Sequence, residues 1–147
     1  MKKNSFWAFL LLLTIANAGC DKKEVVKYSQ LPEVSQTFIE THFSGVAVST
    51  VVREQDNLAT HWSVYLVNGV EIEFEKKGQW EEVDCKTFAV PASILALIPA
   101  QIITYCQENF PTVLITQVNK ENYGYEIGLS NDMDIEFNSK GEFRKID

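Results

Sequence analysis

Apolar and polar residues alternate over two runs near the middle of the chain. Trp62, Val64 and Leu66 alternate with His61, Ser63 and Tyr65. Val70, Ile72 and Phe74 alternate with Glu71, Glu73 and Glu75. A period of two predicts strands with one apolar and one polar face. The pattern also selects the turn. A two-residue Asn68-Gly69 turn would set Val64 opposite Glu73. A three-residue turn, Val67-Asn68-Gly69, sets Leu66 opposite Val70, Val64 opposite Ile72 and Trp62 opposite Phe74. Only the second makes one face wholly apolar, and it places Gly69 at the left-handed position.

A further hairpin turns at Lys76-Lys77-Gly78 and sets Trp80 beside Phe74. Val83 is then one residue out of phase, which predicts a bulge near Glu81-Glu82. A weaker strand is expected over Val46 to Val52. Ahead of it, Leu31, Val34, Phe38, Ile39 and Phe43 recur at helical spacing, with Pro32 at a tolerated first-turn position.

The same order of residues returns later. Ile98-Pro99, Phe110, Val113, Ile115 and Val118 follow Leu31-Pro32, Phe43, Val46, Val48 and Val51 at an offset of 67. From residue 61 the offset is 63, and 8 of 24 positions are identical between 61–84 and 124–147. Four additional residues in the first copy fall in a loop near 54–60. The second copy predicts Leu129 opposite Met133, Ile127 opposite Ile135 and Tyr125 opposite Phe137, with Asp132 left-handed and a bulge near Arg144-Lys145. A short helical piece is expected over Pro91 to Leu97. The reading is one α+β domain over residues 31–147, made of two repeats, 31–84 and 98–147. Each repeat is a helix plus a four-stranded antiparallel unit, with the helices on one sheet face.

The start of the chain follows another logic. Lys2 and Lys3, the apolar run Phe6 to Ile15 and the small residues Ala16-Asn17-Ala18-Gly19 read as an export signal over residues 1–19. Cys20 follows. It is the expected lipid anchor if the signal is of the lipoprotein type, although Asn17 stands where such signals carry Leu. Ala16-Asn17-Ala18 also suits plain cleavage and release. Residues 20–30 then read as a polar tether. Location is expected in the periplasm or cell envelope, with lipid anchoring at the outer membrane, and membrane contact only through that lipid. Cys85 and Cys106 are left as a disulfide or as two separate thiols.

Taken together and in order, these residues resemble the PepSY-like family of periplasmic proteins, also described as beta-lactamase-inhibitor-like. The resemblance rests on Leu31-Pro32 and Ile98-Pro99, on Trp62-Ser63-Val64-Tyr65-Leu66 and Tyr125-Glu126-Ile127-Gly128-Leu129, and on Ile72-Glu73-Phe74 and Ile135-Glu136-Phe137. It closes with Lys77-Gly78, Lys140-Gly141, Val83-Asp84 and Ile146-Asp147. It implies a two-layer tandem duplication in an exported protein. By analogy it implies binding or inhibition of a hydrolase, such as a peptidase or a beta-lactamase. No inhibitory residue carries over. The turns at Val67-Asn68-Gly69 and Ser130-Asn131-Asp132 do not align with inhibitor loops, and neither repeat has its own cysteine pair. Shared fold alone does not transfer function.

Charge changes the picture in one respect. The chain has 20 acidic and 13 basic side chains, and removing residues 1–19 leaves 20 against 11. Such acidity excludes a phosphate-binding surface for nucleic acid. The acids gather on the polar strand face. Residues 31–84 hold ten acids against three bases, and residues 98–147 hold eight against four. The candidate binding face is His61, Ser63, Tyr65, Glu71, Glu73, Glu75, Glu126, Asp134 and Glu136, and the same polar side takes in Glu81, Asn138 and Glu142. Such a face reads either as a solubilising surface or as a docking surface for a basic partner. The catalytic inventory is thin: no metalloprotease helix, no phosphate-binding glycine loop and no nucleophile elbow occurs. His42 suits a helix C-terminal end, and His61 the polar face. Catalytic residues, cofactors and metal ligands are not expected, and no calcium-loop spacing is present. The expected function is an exported, non-enzymatic protein-binding module, an inhibitor or regulator of a secreted peptidase or other hydrolase. The alternative is a structural or assembly lipoprotein of the envelope with no dedicated client.

Overall fold

The computed structural model describes residues 22–56 and 58–147. The export signal and Cys20 lie outside the described residues. Among the described residues, nine strands make one antiparallel sheet in which each pairs with its neighbour in sequence. They are β1 (Lys22–Val26), β2 (Val48–Gln55), β3 (Thr60–Leu66), β4 (Glu71–Glu75), β5 (Trp80–Asp84), β6 (Ile115–Glu121), β7 (Gly124–Leu129), β8 (Asp134–Asn138) and β9 (Phe143–Ile146). The helices are α1 (Glu33–His42), α2 (Ala92–Leu95) and α3 (Ala100–Asn109).

This corrects the expected architecture. The chain is an open sheet with a small helical part, not two helix-plus-four-strand units. The reason lies in the hydrogen bonding. β5 and β6 pair directly, with Glu82 opposite Asn119, Val83 opposite Val118 and Asp84 opposite Gln117. The sheet therefore runs unbroken through the point where a boundary between units was expected. Residues 22–26, read as tether, form β1 instead. Val25 and Val26 pair with Val52 and Val51, and Lys23 and Arg53 make ion pairs with Glu54 and Glu24 at 3.0 and 2.7 Å.

Local register follows the residue pattern. Trp62 faces Phe74 and Val64 faces Ile72. Tyr125 faces Phe137 and Ile127 faces Ile135. Gly69 has φ +92° and Asp132 has φ +63°, so both occupy the left-handed turn position. The β4–β5 ladder shifts register by one at Glu81, which returns Val83 to the apolar face opposite Ile72. A second shift at Arg144 does the same for Ile146.

The apolar face is the core. Val64, Ile72, Phe74, Val83, Val118, Ile127, Ile135 and Phe137 are fully buried. Helix α1 covers one side of it. Phe38 meets Phe74 edge-on and stacks on Trp80, with centroids 5.7 and 5.8 Å away. From α3, Tyr105 meets Phe137 edge-on at 5.4 Å and stacks on Phe143 at 4.9 Å. The buried Ser35 hydroxyl donates to the carbonyl of Gly78 at 3.0 Å, which fastens α1 to the β4–β5 turn. Cys85 and Cys106 are separate, buried thiols, and burial pushes each up to about 11.

Candidate protein-binding face

Side chains alternate along a strand, so burying one face of the sheet turns every second residue to the other. The paired registers align that second set in rows across the strands. One row runs Ser63, Glu73, Glu82, Asn119, Glu126, Glu136 and Lys145 from β3 to β9. The next runs Tyr65, Glu71, Asp84, Gln117, Gly128 and Asp134. At about 4.8 Å per strand, Ser63 to Glu136 spans about 24 Å. All nine residues singled out in the sequence therefore share one face. They divide by surroundings rather than forming one uniform patch.

The densest part is β4 and β5, where Glu71 faces Asp84 and Glu73 faces Glu82. Lys86 bridges the first pair, reaching Glu71 at 3.1 Å and also Asp84. Burial lowers the Lys86 pKa, but its bonds to Asp84 and then Glu71 outweigh this and raise it. Glu82 accepts a hydrogen bond from the Gln117 amide. Among the described residues no ion pair reaches Glu73 or Glu82. Burial, then the Glu73 charge, pushes Glu82 up to about 7, against the smaller opposing effect of Gln117. Burial, then Glu71 and Glu81, raises Glu73 as well. Tyr65 rises to about 12 through burial and then the neighbouring Glu71. The face thus holds carboxylates in one another's field, in a partly dehydrated setting.

Its two ends differ. His61 bonds Glu81 at 3.1 Å on one side, beside Glu75, which pairs across from it. On the other, Glu136 is mostly buried and meets Lys145 at 3.1 Å and Arg144 at 3.7 Å. Glu136 is consequently an internal ion-pair member more than a free docking group. Glu126 and Asp134 lie beside it, both raised first by burial and then by a neighbouring carboxylate, Asp134 and Asp147 respectively. At the edge of the face, Asn138 binds Glu142 at 2.6 Å.

Sequence reading missed Glu82, Asp84, Gln117 and Asn119. The signal for the first two was present. A bulge at Glu81 necessarily turns Glu82 and Asp84 to the polar face once Val83 returns to the core. Gln117 and Asn119 needed the β5–β6 pairing, which residue periodicity does not encode. His42 lies away from this face, bonded to the Ser93 hydroxyl at 2.8 Å, and burial lowers its pKa.

Among the described residues, no three His, Cys, Asp or Glu side chains converge to hold a metal ion. No helix among them is long and apolar enough to cross a membrane. A shallow cavity of about 310 Å³ opens elsewhere, between Tyr28, the end of α1 and the start of β2.

Residues 60–145 match the family model described as "Putative beta-lactamase-inhibitor-like, PepSY-like". No curated protein matches the chain. Three solved structures are similar. A "putative calcium-regulated periplasmic protein" from Bacteroides thetaiotaomicron shares 37% identity, with a TM-score of 0.79 over 85% of this chain and 96% of that one. A "putative periplasmic protein of unknown function" from Bacteroides vulgatus shares 31%, with a TM-score of 0.80 over 86% and 99%. A second Bacteroides vulgatus protein, of the DUF2874 family, shares 36%, with a TM-score of 0.79 over 88% and 99%. By its matched sequence and its fold, the chain belongs to the PepSY-like family.

Proposed function

We propose that the protein is a non-enzymatic binding module of the periplasm and that its acidic sheet face captures a basic surface on an exported protein. The observation that carries this reading is the row Ser63, Glu73, Glu82, Asn119 and Glu126, continuous over five strands. Its carboxylates are held close together at a cost that a cationic partner would relieve. The three similar structures are described as periplasmic proteins, which supports the compartment. A secreted peptidase or other hydrolase is the client class, with the module as its inhibitor or regulator. Acylation of Cys20 would hold it at the outer membrane.

The experiment is capture from envelope extract by wild type and by a Glu73→Gln, Glu82→Gln, Glu126→Gln variant. A partner retained by the first and lost by the second supports the face. Identical capture profiles refute it.

The calcium regulation in the description of one neighbour favours a second reading of the same face. Calcium at millimolar concentration would screen the carboxylates and compete with a basic partner. Capture that falls with added calcium, but not with sodium at equal ionic strength, supports competition.

A further inference from the structure

A different part of the sheet points to self-association. The apolar residues of β5 and β9 sit alike on the core face. Trp80 and Val83 face Phe74 and Ile72, while Phe143 and Ile146 face Phe137 and Ile135. Their exposures differ sharply. Trp80 is 8% and Val83 0% exposed, because β6 lies against them with Val118 opposite Val83 and Lys120 over the Trp80 ring. Phe143 is 45% and Ile146 42% exposed, since β9 is the outermost strand on that side of the sheet among the described residues.

The outer edge of β9 is also ready to pair. Asp134 and Asp147 exchange both backbone hydrogen bonds, at 3.4 and 2.9 Å. Alternation in an antiparallel ladder then turns the N–H and C=O of Ile146 outward. We propose that this edge joins two copies of the chain about a two-fold axis normal to the sheet. That operation runs β9 antiparallel to β9 of the second copy and keeps both apolar faces on one side. Centred on Ile146, it sets Ile146 opposite Ile146 of the second copy and Lys145 opposite Asp147 at both ends. Ile146 is then a hydrogen-bonded pair, as its outward groups require.

Other arrangements fit worse. A shift of one residue would put Ile146 opposite Lys145, against the pleat. Centring on Lys145 would oppose two lysines. Addition of β9 to β1 of another copy, with the apolar faces on one side, requires parallel pairing, because β1 and β9 run the same way in a sheet of nine antiparallel strands. That contact would also propagate without closing.

The test is molar mass by light scattering over about 1 to 500 μM, with amide exchange at Ile146. Wild type is expected to approach twice the monomer mass, with Ile146 protected more at high concentration. Asp147→Lys and Ile146→Asp should both return the monomer mass, with the circular dichroism of folded wild type, and Asp147→Lys should also lose the concentration-dependent protection of Ile146. Val25→Asp, on the exposed opposite edge, should leave the dimer intact. A wild type that stays monomeric throughout, or a dimer indifferent to both β9 variants, overturns the proposal.

Discussion

Glu73 and Glu82 face each other directly across β4 and β5, on the side of the sheet away from the core. Glu82 protonates near 7 in the folded chain, because burial and then the Glu73 charge oppose its ionisation. Its ordinary value is 4.5, so the folded state binds the proton more tightly than the unfolded state does. Stability from this group is therefore full below about 4.5 and is lost as pH rises through about 7. The loss is on the order of 2–3 kcal/mol. Thermal unfolding of wild type should fall in temperature from pH 5 to pH 8. Glu82→Gln keeps a neutral partner for Gln117, and should flatten that dependence and raise the melting temperature at pH 8.

Gly78 lies where a side chain has no room. Its φ is +94°, and a Cβ would stand 2.7 Å from the Cβ of Pro32 and 2.8 Å from the Oγ of Ser35. Gly78→Ala should cost about 2–3 kcal/mol from backbone strain and the displaced α1 contact. Gly69 has a similar φ, +92°, but open space around it. Gly69→Ala should cost about 1 kcal/mol. Urea unfolding of the two variants separates strain alone from strain with collision.

Ser35 tests the same joint from the helix side. Its hydroxyl is buried and donates to Gly78. Ser35→Ala should cost about 1–2 kcal/mol, the usual consequence of an orphaned buried acceptor. Combined with Gly78→Ala the losses should be less than additive, since both act on one contact. A double-mutant cycle in urea checks this.

Lys86 is the cation that offsets part of the carboxylate field, through Glu71 and Asp84. Lys86→Gln should cost up to about 1 kcal/mol at low salt, because the pair is partly exposed. The difference from wild type should shrink at 1 M salt. A deficit that is independent of salt would mean that Lys86 acts by packing.

Much of the local structure was legible in the residues. Period-two alternation and the turn residues fixed which side chains oppose one another, from Trp62–Phe74 to Ile127–Ile135. The one-residue phase slip between Trp80 and Val83 announced the bulge at Glu81. Sheet continuity was not legible. Nothing in the pattern of Val83 or Val118 states that these two strands are neighbours. Nor did Lys22-Lys23-Glu24 look like a strand, because two of its partners are charges on β2, not apolar contacts. The nine proposed face residues were readable because a strand's polar side is simply the complement of its apolar side. Their inequality was not: Glu136 is neutralised by Lys145 and Arg144 only because the second bulge brings both against it.

The acidic face is proposed to be a docking surface and more than a solubilising one. The most direct measurement is quantitative capture from envelope extract at low and high salt, using wild type beside the Glu73→Gln, Glu82→Gln, Glu126→Gln variant. One dominant partner is expected, retained at least tenfold better by wild type at low salt, with the advantage lost at 1 M salt. Equal retention by both proteins at low salt would contradict it.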